Sequence, residues 1–171
     1  MSRNIPGPQT KDAALRVFVY GTLKKGFWNH DMFCRDALYI KEAALRGQLY
    51  ELPSRIPVLR VPDNDILAFG TSDPLADAIT QERYLDQMAV DTICDPACRE
   101  MIRGEMIVFP HPELSLPPMD RLEGFMPGCP SLYIRVLVPV VTENDVLPAW
   151  CYIDGGNLRK SIVPTRKSCW P

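Results

Sequence analysis

Prolines set the first constraint on what this chain can fold into. Seventeen of its 171 residues are proline, about twice ordinary usage. Each lacks an N–H and locks φ, so it interrupts a helix interior or a central strand. Short strands and many turns are therefore expected rather than long helices. At this length a single core suffices. The 46% hydrophobic share is ordinary for such a core.

Local patterns divide the chain further. "RVFVYGTL" (Arg16 to Leu23) is rich in β-branched and aromatic residues and is bounded by Gly21, which predicts a strand with both faces partly buried. Asn29 is placed to cap a short helix running to about Leu38, with Asp31 near its positive end. "LYIKEAALRGQLYELP" reads as two strand pieces parted near Gly47, and "IPVLRVP" as a short strand. Ala78, Ile79, Tyr84, Leu85 and Met88 form a rough helical stripe. "EMIVF" (Glu105 to Phe109) reads as a strand. "PELSLPPMDRLEGF" reads as a short helix with Pro118 in its first turn and Gly124 at its end. "SLYIRVLVPVV" (Ser131 to Val141) and "VLPAWCYID" are further strands. Strands and helices do not alternate strictly, so the expected class is α+β: a small mixed β-barrel with flanking helices, not a doubly wound sheet. The expected organisation is an arm at 1–14, one domain at 15–155 with an insertion at 62–100, and an irregular tail at 156–171.

Charge and cysteines narrow the function classes. The net charge is −2 and the sequence pI about 5.7, so no basic face points to nucleic acid. Lys24-Lys25 and Arg166-Lys167 read as solvated surface. No apolar run approaches the roughly 18 residues of a membrane helix, and "MSRNIPGPQTKDAA" has no apolar signal core. A cytoplasmic protein without membrane contact is expected. A reducing compartment argues against a disulfide framework for the six cysteines. The one close pair, Cys94 and Cys98 in "CDPAC", lacks a second pair or a His-x3–5-His partner. A metal-binding accessory role is thus the weakest reading, and neither metal nor cofactor is expected.

Three stretches carry candidate chemistry. In "VFVYGTLKKGFWNH" (Val17 to His30) a glycine at a strand exit lets the backbone turn. Successive N–H groups there would form an anion-binding nest, although an ordinary turn is the commoner meaning. The P-loop pattern is absent. In "MDRLEG" Asp120 and Glu123 lie three apart on the expected helix and face similarly. An acidic helix end is usually solvated. If Glu123 instead turned inward, an apolar pocket would raise its pKa and suit it to general acid–base work. In "LYIRVLV" Tyr133 and Arg135 share one strand face, either as the polar side of a half-buried strand or as groups that orient a substrate. No Gly-x-Ser-x-Gly or other nucleophile constellation stands out.

Taken together and in order, these segments resemble the gamma-glutamylcyclotransferase-like superfamily. "YGTLKKG-x-x-NH" is similar to its AIG2-like, gamma-glutamylamine cyclotransferase branch. "MDRLEGF" resembles the second motif, Leu-Asp-x-x-Glu-Gly, with Met119 in place of Leu. "IRGEMIVF" and "LYIRVLVPV" resemble the strands on either side of it. The resemblance implies a compact mixed barrel and a substrate bearing a gamma-glutamyl group, cyclised to 5-oxoproline with release of the attached amine. It implies Glu123 as the catalytic carboxylate. It places the substrate's α-carboxylate on the backbone of Tyr20, Gly21, Thr22 and Leu23, with Tyr133 lining the same cavity. Residues 62–100 depart from the family in looking longer than its usual connection, and they are a candidate wall against the leaving amine. The alternative is a non-catalytic small-molecule-binding or interaction module of the same fold.

Overall fold

The structure is a computed structural model that describes residues 13–88, 101–157 and 163–170. Five strands close into a mixed barrel: β1 (Leu15–Val19), β2 (Tyr39–Arg46), β6 (Met101–Phe109), β7 (Tyr133–Val141) and β8 (Val146–Asp154). Their order around the barrel is β2-β6-β1-β8-β7, closed by a pairing of Ala44 with Val141. All neighbours are antiparallel except β1 and β8. A short strand, β5 (Ala68–Phe69), pairs with the outer edge of β7. A second sheet of β3 (Gln48–Glu51), β4 (Pro57–Arg60) and β9 (Val163–Pro164) lies beside the barrel. The α+β barrel expected from the sequence is the fold observed.

Alternation along the strands divides the core in two. Phe18, Met106, Val136, Val138 and Cys151 belong to one buried cluster. Val17, Ile107, Leu137, Trp150 and Tyr152, one residue out of phase, belong to a second that also contains Leu116 and Met119 of helix α3 (Pro112–Glu123). Both faces of β7 and β8 are thus buried, which explains their nearly unbroken apolar sequences. Among the described residues, no helix is long and apolar enough to cross a membrane.

Helix α1 spans Trp28–Phe33 with Phe27 at its N-cap. Asn29 lies inside it and its amide donates to the Thr22 hydroxyl (2.8 Å), so Asn29 bonds back to the preceding turn rather than capping the helix. Helix α2 (Pro74–Leu85) is capped by Asp73, whose carboxylate accepts from the N–H groups of Leu75 (3.1 Å) and Ala76 (3.0 Å). Its buried face is Asp77, Ala78 and Gln81, more polar than the expected stripe. The reason is pairing. Gln81 accepts from Arg16 N–H (2.8 Å) and donates to the Ala14 carbonyl (2.9 Å), fastening α2 to the start of β1. Helix α3 starts at Pro112, not Pro118, and contains Pro117 and Pro118 in its interior. The strand expected from Glu105 begins at Met101, paired along its length with β2.

Of residues 62–100, those up to Met88 form a 3-10 turn (Asp63–Asp65), β5 and α2. Cys94 and Cys98 lie outside the described residues. Within the expected tail, β9 pairs with β3, Arg103 pairs with Cys169, and Trp170 is buried.

Candidate active site

A cavity of about 330 Å³ opens where the end of β1 meets the end of α3. Its described lining includes Tyr20, Gly21, Thr22, Leu23, Glu123 and Tyr133. Residues a hundred positions apart therefore face one space. The two charged side chains on this lining are Glu123 and Arg55.

Local chemistry puts Glu123 there. Gly124 adopts φ 65°, a conformation that costs other residues strain. The Phe125 N–H then reaches back to the Asp120 carbonyl (2.8 Å) and the Gly124 N–H to that of Arg121 (3.3 Å). This closure stops the helix immediately after Glu123. The helix is held in rotation by Asp120, one turn earlier. The Asp120 carboxylate accepts from Arg135 Nε (2.8 Å), from Arg135 Nη2 (3.1 Å) and from the Tyr152 hydroxyl (2.7 Å).

Arg135 is fully buried, and this is the main departure from a half-buried polar strand face. Its Nη1 donates to Asp77 (2.7 Å) and its Nη2 to the Thr71 carbonyl (2.9 Å). The rings of Phe125 and Trp150 lie 5.0 and 5.2 Å from the guanidinium carbon, within cation–π range. Burial raises the Asp120 carboxyl, while Arg135 and the Tyr152 hydroxyl act against that rise. A charge in this position is tolerable because it is paired and hydrogen-bonded.

Glu123 has no such partner among the described residues. Burial alone pushes its carboxyl up to about 7, since little around it stabilises the charge. The neighbouring phenols face away as donors. Tyr133 donates to the Pro57 carbonyl (2.8 Å) and Tyr20 to the Tyr152 carbonyl (2.9 Å). Both are raised, by burial first and also by the charge of Glu123. They are available to a ligand chiefly as acceptors.

The Tyr20–Leu23 turn has open donors. The Lys24 N–H donates to the Gly21 carbonyl (3.1 Å) and the Lys25 N–H to Glu105 (2.7 Å). The N–H groups of Thr22 and Leu23 have no acceptor among the described residues. Gly21 owes its place to room rather than to an unusual φ, because a Cβ there would stand 3.2 Å from Pro57 Cγ. Lys24 is not simple solvated rim: its ammonium donates to the Trp170 carbonyl. Arg55, at φ 61°, is the one described non-glycine residue in the left-handed region.

All six site residues expected from the sequence line this cavity. Pro57, Tyr152, Leu122, Leu132, Ile56, Arg55 and Trp170 line it too and were not anticipated. Tyr152 sits on a strand legible in sequence, and its alternation with the inward Cys151 was the one available signal.

Residues 17–88 match the family model for gamma-glutamyl cyclotransferase, AIG2-like. That segment holds the first motif, and Glu123 lies beyond it. Among solved structures the chain is similar to an AIG2-like protein from Mus musculus, at 17% identity and a TM-score of 0.57, over 92% of this chain and 88% of that one. It is also similar to YkqA from Bacillus subtilis, at 18% identity and a TM-score of 0.54, over 92% of this chain. The chain spans only 39% of YkqA's length. At these identities the likeness is one of fold, and the fold is gamma-glutamylcyclotransferase-like. No curated protein sequence matches the chain.

Proposed function

From a chain that carries this fold and matches AIG2-like gamma-glutamyl cyclotransferases over residues 17–88, we propose a cyclotransferase that converts a gamma-glutamyl amine or peptide to 5-oxoproline. The observation that carries the reading is Glu123. It is a carboxyl with no partner among the described residues, pushed up to about 7, and it lines the same cavity as Thr22 and Leu23, whose N–H groups have no acceptor among the described residues.

In this reading the two N–H groups hold the substrate's α-carboxylate, which folds the glutamyl chain so that its α-amine approaches its own γ-carbonyl. Glu123, as the carboxylate, takes a proton from the α-amine. The amine nitrogen bonds to the γ-carbon, and the amide bond from that carbon to the departing nitrogen breaks. Glu123 returns the proton to the departing amine. Atoms and protons balance, giving one 5-oxoproline and one free amine. Ring closure is intramolecular, so orientation supplies much of the rate. A pKa near neutrality suits a group that must both accept and donate. Tyr133 and Tyr20 offer phenol oxygens to the substrate's N–H groups.

The test is release of 5-oxoproline from gamma-glutamyl amines and dipeptides. Glu123→Gln should lower kcat by about 10²–10⁴-fold while leaving the fold intact. Wild-type kcat/KM should rise as pH passes through about 7, as the base form appears. Activity that survives Glu123→Gln overturns the mechanism. Binding without any 5-oxoproline moves the protein to the alternative, a binding module of this fold.

A further inference from the structure

The mouth of the cavity is unusually apolar for an exposed surface. Ile56, Leu122 and Leu132 are 44%, 37% and 39% exposed, and all three line this cavity. They come from three separate places: the turn before β4, the residue preceding Glu123, and the residue preceding Tyr133. A single exposed leucine means little, but convergent exposed apolar side chains around one concave site mark a ligand surface.

A fourth wall comes from the C-terminal segment. Trp170 is only 9% exposed and lines the same cavity. It is held there by several contacts. The Lys24 ammonium binds its carbonyl, the Lys167 ammonium lies 5.3 Å from its ring centroid, and the Arg103 N–H donates to the Ser168 carbonyl (2.7 Å). Lys24 belongs to the same short segment that supplies Thr22 and Leu23. The turn that would anchor the glutamyl end thus also holds this wall in place.

We infer that this mouth is the subsite for the departing amine and that it selects a branched or aromatic apolar amine, with Trp170 as a specificity-determining wall. The inference rests on the cyclotransferase reading. In that reading the α-carboxylate and α-amine occupy the Thr22–Leu23 donors and Glu123, which leaves the apolar mouth for the group beyond the scissile amide. Arg55, the remaining charged side chain on the lining, disfavours a departing group that carries a second ammonium.

The experiment compares three gamma-glutamyl conjugates: of methylamine, of 3-methylbutylamine, and of 1,5-diaminopentane. The expected kcat/KM for the 3-methylbutylamine conjugate exceeds that for methylamine by about 30-fold, as follows when the half-exposed mouth buries roughly two to three of the extra carbons. The diamine conjugate, similar in length but cationic, falls well below the 3-methylbutylamine one. Trp170→Ala should reduce the 3-methylbutyl-to-methyl ratio to a few-fold. Ile56→Ser, at an exposed position that does not threaten folding, should reduce it several-fold as well. Equal kcat/KM for all three conjugates, a diamine preference, or a ratio untouched by both substitutions overturns the inference. If no conjugate releases 5-oxoproline, the cyclotransferase reading falls, and calorimetric binding of the same three compounds decides the subsite by itself. Tighter binding of the 3-methylbutylamine conjugate upholds it, and equal binding or none overturns it.

Discussion

Asp120 and Glu123 stand one turn apart on α3, and the fold treats them in opposite ways. Asp120 turns toward Arg135 and Tyr152 and receives three hydrogen bonds. Glu123 turns toward the cavity and, among the described residues, receives none. Both carboxyls are raised by burial, but at Asp120 the partners act against the rise, while at Glu123 burial acts alone. The difference separates structure from chemistry. The paired acid orients the helix, and the unpaired one is left with a protonation state that changes near neutral pH.

The largest expected effect comes from breaking the paired side. Arg135→Ala leaves Asp77 and Asp120 buried without their cation. Removing one partner of a buried ion pair costs about 3–5 kcal/mol, so chemical denaturation should show a loss of that order. A loss below about 1 kcal/mol would mean that the network does not hold α2, α3 and β7 together.

The unpaired side predicts a smaller change of the opposite sign. The folded pKa of Glu123, about 7, lies above its free value of 4.5. Between those values the folded state binds more protons than the unfolded state, so stability falls as pH rises through this window. Above about 7 the charged carboxylate is a standing cost. Glu123→Gln should therefore be more stable than wild type at pH 8.5, by about 1–3 kcal/mol, with the two melting temperatures converging only below the free value of 4.5. Parallel melting curves at both pH values would place Glu123 in a more solvated setting.

The smallest effect sharpens the comparison at the turn facing Glu123. Gly21→Ala puts a Cβ at 3.2 Å from Pro57 Cγ, which a slight shift relieves. Stability should change by less than about 1 kcal/mol, while KM for gamma-glutamyl substrates rises several-fold as the Thr22 and Leu23 donors move. An unchanged KM would detach the turn from the substrate.

Much of the cavity's lining was legible in the sequence. Glycine after Glu123 predicts a left-handed stop, and the stop is there. Period-two alternation put Tyr133 and Arg135 on one face of β7, and both are buried on it. The errors also have physical causes. The interior prolines of α3 read as a helix start because local rules cannot see that packing of Leu116 and Met119 sustains the helix through them. Asn29 read as a cap because its type suits one. Its real partner, the Thr22 hydroxyl, becomes available only when the preceding turn folds back. Pro57 and Trp170 were invisible as cavity walls because nothing near them in the chain announces contact with residues 20–23.

The sequence by itself determined the local terms: where strands end, where α3 stops, and which acid stands at that stop. Those follow from dihedral preferences and side-chain alternation, which act within a few residues. Only the tertiary structure decided that Asp120 is paired and that Glu123, among the described residues, is not. Desolvation depends on which atoms surround a carboxyl, and here those atoms come from the end of β1, from Tyr133 and from Tyr152, brought together only when the barrel closes.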